Sequence, residues 1–294
     1  MASFFCFGRQ RKNSAGSAGF SGTLQPSDIY RPQNDATSES FRDAKAFCDQ
    51  NPVEAAQNLS SSDLQRIRER GCGAWGLEVP RPSSDQVRPI QVEDCKSDTG
   101  QFLRVTTFSN PPNLGDPELC LLSDLPIIPG LYGTNGSRGV YYEVTIEQMA
   151  GMIAIGTACK PHPMWRYPGW DRLSVGLHLD DFHIFCQDPG FGQEYTSRLS
   201  SIESGHTIGC GYRFDNGSVF FTYDGEKLPD VDFDLYRPLD GREPRDVYAA
   251  IGAEGENVFE VSFGARPFKW KEGNDRAWMM DSVVGTTMPP PYEC

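Results

Sequence analysis

The sequence predicts an all-β protein: an antiparallel β-sandwich, preceded by a short helical segment and flanked by disordered termini. Three observations carry this. Apolar residues recur with period two from about Ala74 to Trp270. Two runs in that stretch fold back across short polar turns with their apolar residues in register. No helical periodicity intervenes between the strands, and the 30 Gly and 22 Pro among 294 residues suit many short elements joined by turns.

Residues 8–40 are rich in Ser, Gly, Asn and Gln, so the segment 1–39 is expected to be disordered. Residues 40–71 read as a helical extension. Pro52-Val-Glu-Ala-Ala suits a helix start, and Ser60 to Ser62 can cap a turn carrying Leu64 and Ile67. Gly71 then stands where a helix end favours left-handed backbone.

The sandwich with its N-terminal extension is assigned to 72–270. Its clearest unit is Ser174–Leu179, Asp180-Asp181 and Phe182–Cys186. A two-residue turn at Asp180-Asp181 pairs Leu179 with Phe182, Leu177 with Ile184 and Val175 with Cys186, all on one face. In a second hairpin Ile208, Cys210, Tyr212 and Phe214 alternate, Asn216-Gly217 turns, and Val219, Phe221 and Tyr223 return. Further strands are read at Val140–Ile146, Met152–Ile155, Val247–Ile251 and Val258–Phe263, the last with Phe259, Val261 and Phe263 on one side. Residues 271–294 lack such a pattern and are expected to form a flexible tail.

Charge separates the parts. The whole chain carries −13, but residues 72–270 account for −12 of it, whereas residues 1–71 carry +1. An acidic sandwich repels a phosphate backbone, so no nucleic-acid partner is expected. A basic protein segment suits it better. The nine cysteines include no CxxC pair, which excludes a zinc ribbon or a dense disulfide framework and points to a reducing, cytoplasmic setting.

Catalytic signatures are missing: there is no Gly-x-Ser-x-Gly elbow, His-Glu-x-x-His or phosphate loop. The glycines at 130, 133, 136 and 139 precede a strand rather than a helix, so they read as a turn. His178 and His183 fall opposite each other across the first hairpin, but with no evident third ligand they read as an ordinary cross-strand pair. Neither enzyme activity, metal nor cofactor is expected.

Three features point to binding instead. In the loop 159–172, Met164, Trp165, Arg166 and Tyr167 are residue types that anchor protein interfaces, while Trp170, next to a strand start, reads as structural. At the C-terminus, Pro289-Pro290-Pro291-Tyr292 is a PPxY ligand for a WW domain: Pro289 and Pro290 favour polyproline II and Tyr292 supplies the aromatic anchor. At the N-terminus, Cys6 among three phenylalanines, followed by Arg9, Arg11 and Lys12, has the composition of an S-acylated tether. Peripheral contact with a membrane is expected from it.

Six segments in order resemble a SPRY domain over about 140–268: Tyr142-Glu-Val-Thr-Ile146, Ile153-Ala-Ile-Gly156, Pro168-Gly-Trp-Asp-Arg-Leu-Ser-Val-Gly-Leu-His178, Ile208-Gly-Cys-Gly211, Phe220-Phe-Thr-Tyr-Asp-Gly225 and Val261-Ser-Phe-Gly264. Leu64–Gly71 leading to Ala74-Trp75, and Ser123–Ile127, resemble the extended SPRY proteins of fungi. Some of those are PPxY-bearing adaptors that bring a HECT-type, WW-containing ubiquitin ligase to membrane cargo for vacuolar sorting. The resemblance implies a non-catalytic sandwich that binds a protein cargo, with Pro289, Pro290 and Tyr292 as ligase ligands. Such adaptors can carry an N-terminal transmembrane anchor, and no apolar run of that length occurs here. The alternative is a scaffold subunit resembling Ran-binding protein M, without ligase recruitment.

Overall fold

Two seven-stranded antiparallel sheets face each other, and both are assembled from distant parts of the chain. The computed structural model describes residues 36–79, 90–111, 115–134, 136–233, 235–236 and 243–284. In chain order the strands are β1 (Leu77–Glu78), β2 (Ile90–Ser97), β3 (Gly100–Thr107), β4 (Leu119–Ser123), β5 (Gly139–Met149), β6 (Met152–Cys159), β7 (Ser174–His178), β8 (His183–Cys186), β9 (Gln193–Glu194), β10 (Thr207–Arg213), β11 (Val219–Tyr223), β12 (Glu226–Lys227), β13 (Val247–Glu254) and β14 (Asn257–Ser262). The first sheet runs β1-β4-β13-β6-β7-β8-β9, the second β12-β11-β10-β5-β14-β3-β2. Sequence-adjacent strands often lie in different sheets, which makes this a sandwich rather than a single meander.

The core lies between the sheets. Ile153, Ile155, Val175, Leu177 and Ile251 of the first meet Tyr142, Val144, Cys210, Phe221 and Phe259 of the second, all essentially inaccessible to water. Burial on this scale, at about 25 cal/mol per Å² of apolar surface, is the main stabilising term. Tyr142 spans the gap, and its hydroxyl donates to the Gly156 carbonyl at 2.6 Å, so the polar group it carries into the core is satisfied.

Both expected hairpins form, with longer turns. Val175 pairs with Cys186 and Leu177 with Ile184, but the ladder stops there. Leu179 instead donates its N–H to the Ile153 carbonyl at 2.9 Å. Two-residue hairpin turns need positive φ at their centre, and neither Asp180 nor Asp181 is a glycine. The left-handed residue is Phe182, at φ 60°. In the second hairpin Ile208, Cys210 and Tyr212 face Tyr223, Phe221 and Val219. Its turn closes through the Arg213 N–H on the Ser218 carbonyl, with Gly217 at φ 74°.

Helix α1 (Ser38–Gln50) is capped by Thr37, and α2 (Ser61–Arg70) by Ser60, whose hydroxyl accepts from the Asp63 N–H. Gly71 ends α2 at φ 54°, as its position predicts. Pro52-Val-Glu-Ala-Ala does not start a helix. Tertiary bonds take its backbone: Glu54 N–H to the Lys160 carbonyl, Ala56 N–H to the Pro244 carbonyl, and Arg245 to the Val53 carbonyl. Those partners lie more than a hundred residues away and leave no local signal.

The flexible tail expected from residue 271 is not found through residue 284, the last described. Residues 271–284 form three short 3₁₀ turns, with Trp278, Met280 and Val283 buried. Trp278 completes an aromatic cluster of Tyr141, Phe220, Phe268 and Trp270 on the outer face of the second sheet, while Met280 and Val283 join the main core. Spaced aromatics without strand or helix periodicity do not announce such a docked segment.

Candidate partner-binding face

The loop joining β6 to β7 does not project from the end of the sandwich. It lies as a strap across the outer face of the first sheet. The Met164 carbonyl accepts the Cys120 N–H of β4 at 2.8 Å, which pins the strap two strands away from its origin at β6. Small residues beneath it permit this approach. A Cβ at Gly252 of β13 would stand 2.8 Å from the Tyr167 ring, and one at Gly176 would collide with the Pro168 carbonyl. Tyr167 and Trp170 pack edge-to-face at 4.8 Å and share a cluster with Ala154, Phe185 and Ala36. Trp170 therefore has a structural role.

Arg166 organises the strap. Its side chain is 0% exposed. Nε donates to Asp171 at 2.9 Å, Nη1 to the Ser40 hydroxyl of α1 at 2.8 Å, and the guanidinium stands 4.8 Å from the Trp170 ring centre. Its Nη2 has no hydrogen-bond partner among the described residues. A buried cation is tolerable because Asp171 compensates it. Glu118 lies in the same neighbourhood. Burial pushes its carboxyl up to about 7, Arg166 opposes the shift, and Glu254 and Asp171 reinforce it. Glu254 in turn accepts the Tyr167 hydroxyl.

Helix α1 covers the strap. Ser40, Ala44, Phe47 and Cys48 form its inward stripe, with Ala44 wholly buried. Phe47 meets Trp165 edge-on at 5.4 Å. Arg172 donates to the carbonyls of Cys48 and Asn51 at the helix end, where cations are favoured.

The four residues expected to contact a partner therefore separate. Trp165 is 42% exposed and Met164 half-buried, whereas Arg166 and Tyr167 lie inside the fold. Interface-prone composition does not distinguish a loop that projects from one that lies flat. Arg172, Ser40 and Phe47 were not singled out by sequence; the spacing of Ser40, Ala44 and Cys48 at i, i+4 and i+8 was the available signal.

His178 and His183 do not come together as a pair. His178 is buried on the strap side, its Nε2 3.1 Å from the Pro168 carbonyl and its ring 4.3 Å from Phe185. His183 is half-buried, with Nδ1 2.7 Å from Asp181. Among the described residues no group of three or more His, Cys, Asp or Glu could hold a metal. Burial pushes the His178 pKa down to about 4, against weaker opposition from the Pro168 carbonyl and Asp181. The unfolded chain thus binds a proton that the native state refuses. Stability from this group is present above about 6.5 and is lost as pH falls toward 4. The loss is expected to approach about 3 kcal/mol. Denaturant melts of wild type and His178→Phe at pH 7 and pH 4.5 check this: the wild type should fall further by most of that amount, and equal falls would contradict it.

Cys6 and Pro289, Pro290 and Tyr292 lie outside the described residues. Among the described residues no helix is long and apolar enough to cross a membrane.

Residues 139–266 match the model of the SPRY domain. The chain is 28% identical over 273 residues to Protein ssh4 of Sclerotinia sclerotiorum, covering 91% of this chain and 45% of that one. It is also 28% identical over 264 residues to a SPRY domain-containing protein of Schizosaccharomyces pombe, covering 88% and 59% respectively. The chain thus spans about half the length of the relatives it matches. A human SPRY domain crystal structure aligns at 19% identity and a TM-score of 0.43, covering 60% of this chain and 99% of that one. The strands that bracket the strap lie within the span that matches the SPRY domain, and most of the chain is similar in sequence to the fungal ssh4 proteins.

Proposed function

We propose that the protein is a non-catalytic adaptor: the SPRY sandwich binds a protein cargo, and Pro289, Pro290 and Tyr292 recruit a WW-domain HECT-type ubiquitin ligase. The ligase is thereby brought to membrane-protein cargo for endosomal or vacuolar sorting. The observation that carries this is the joining, in one chain, of a protein-interaction sandwich and a PPxY ligand that begins beyond Val283, the last core residue described. The concentration of −12 in residues 72–270 favours a cargo with a basic segment. Cys6 with Arg9, Arg11 and Lys12 supplies a tether to an anionic membrane, an acyl chain and basic residues adding their affinities.

Proximity labelling in cells tests this with wild type and a Pro289→Ala, Tyr292→Ala double variant. Ligase labelling should disappear in the variant while cargo labelling persists. Ligase labelling that survives in the variant rules out recruitment through this motif. A stoichiometric assembly without ligase in native mass spectrometry would favour a scaffold subunit instead.

A further inference from the structure

Among the described residues, three of the four sheet edges are closed by strands of two residues: β1 and β9 in the first sheet and β12 in the second. The fourth edge is β2. Its eight residues pair with β3 from Ile90 opposite Thr107 to Ser97 opposite Gly100, with no bulge and no proline. On its other side no backbone hydrogen bond from another segment reaches it among the described residues. An antiparallel strand turns alternate N–H and C=O groups away from its neighbour, so β2 presents a regular ladder of unpaired donors and acceptors. Charge is the one blunting device this edge carries, in Glu93, Asp94 and Lys96. Charge excludes some partners and selects others.

The two faces of β2 offer different contacts. Asp94, Cys95 and Lys96 line a cavity of 80 Å³ together with Trp75, Leu103 and Phe263. The last three are buried core residues, whereas Asp94, Lys96 and Arg70 of the same cavity are exposed, so it opens to water beside the C-terminal half of the strand. Its rim is mixed in sign, Asp94 against Lys96 and Arg70, and its floor is apolar. On the outer face Arg104 is bonded to Glu147 at 2.5 Å and Arg266 to Glu260 at 2.6 Å. Glu93, opposite Arg104 in the register, is held only by the Gln91 amide at 2.8 Å. It is the acid of that face without an ion pair among the described residues.

We propose that β2 is a strand-addition site for an extended segment of a partner protein, one that sets a lysine or arginine opposite Glu93 and a short aliphatic side chain in the cavity. Successive residues of an added strand point to opposite faces, which is the alternation these two contacts require. Main-chain bonds to β2 supply affinity, and Glu93 and the cavity supply the choice of sequence. A second copy of this chain in full antiparallel overlap would set Glu93 against Asp94 on both sides of its two-fold axis, a like-charge pairing that destabilises the join. The site borders the second sheet, whereas the strap lies on the first, and it stands whether or not the C-terminal motif recruits a ligase.

The test uses the full chain and an end-blocked probe peptide, acetyl-Thr-Val-Lys-Val-Thr-Val-amide. It should bind wild type with a Kd below about 1 mM. Glu93→Lys should weaken it about five-fold, and a peptide with Glu in place of its Lys should reverse that preference. Alanine for every valine should weaken binding about ten-fold through the emptied cavity. Methylation of every backbone nitrogen, which removes the donors to β2, should abolish it. In hydrogen exchange the bound peptide should slow amides of Ile90–Ser97 about ten-fold and leave β9 and β12 unchanged. No binding at about 1 mM, indifference to nitrogen methylation or to Glu93→Lys, or protection at another edge would overturn the proposal. So would dimerisation of the unliganded chain through β2, or β2 amides all as slow as those of β5 before peptide is added, because a second copy or residues 80–89 of the same chain would then occupy the edge.

Discussion

Replacing Glu143 with alanine is expected to destabilise the protein by about 3–5 kcal/mol, read as a fall in the denaturant midpoint. Glu143 is 5% exposed on the outer face of the second sheet. Its carboxylate accepts the Tyr141 hydroxyl at 2.8 Å and the backbone N–H groups of Lys269 and Trp270, each at 2.9 Å. Alanine would leave the Trp270 N–H buried and the Lys269 N–H part-buried, both without this acceptor, beside the rings of Phe220, Phe268, Trp270 and Trp278. Each orphan costs about 1–3 kcal/mol, and the acceptors lost are charge-assisted. Glu143→Gln keeps the shape and one acceptor oxygen, so its loss should be smaller. A midpoint for Glu143→Ala within error of wild type would show that this carboxylate does not hold the C-terminal segment to the sandwich.

Arg166→Ala is expected to cost about 3–5 kcal/mol near neutral pH, the range for removing one partner of a buried ion pair. Asp171, with 11% of its side chain exposed, would lose its cation, and Glu118 would lose the charge that opposes its upward shift. The pH dependence separates these effects. Glu118 titrates near 7 in the folded chain, above its ordinary value of 4.5, so its protonated form is the one the fold prefers. A carboxyl raised in this way supports the fold fully below about 4.5 and loses that support as pH rises through about 7. The penalty of Arg166→Ala should therefore be larger at pH 8 than at pH 5, where Glu118 is neutral in both proteins. Arg166→Lys should recover only part of the loss, because an ammonium cannot serve Asp171, Ser40 and the Trp170 face together. A pH-independent penalty would show that Glu118 and Arg166 are not coupled.

What the sequence made legible follows from how local each signal is. The registers Val175 to Cys186 and Cys210 to Phe221 are set by alternation on both sides of a nearby turn, and they appear as expected. The edge strand β2, Ile90–Ser97, was not singled out, because an edge carries charged residues and only Ile90 is buried. The wholly buried β4, Leu119–Ser123, is a continuous apolar run with no alternation to read. At the candidate site, the residue types of the strap were legible and its course was not. The conformation is decided by Gly252, Gly176 and Cys120, which meet the strap only after β4, β13 and β7 have assembled. The same holds for α1: the sequence reading places residues 40–50 in a helical extension but Ser38 and Glu39 in the disordered segment 1–39, and no local signal names the strap as its docking partner.

The adaptor proposal turns on whether Tyr292 binds a WW domain. Calorimetric titration of an isolated WW domain from a HECT-type ubiquitin ligase into the full chain, wild type and Tyr292→Ala, measures it. Wild type should give a one-to-one isotherm and Tyr292→Ala none, with identical circular dichroism and melting for both proteins. If Tyr292→Ala binds as tightly as wild type, or if wild type does not bind at all, the C-terminal motif does not recruit the ligase.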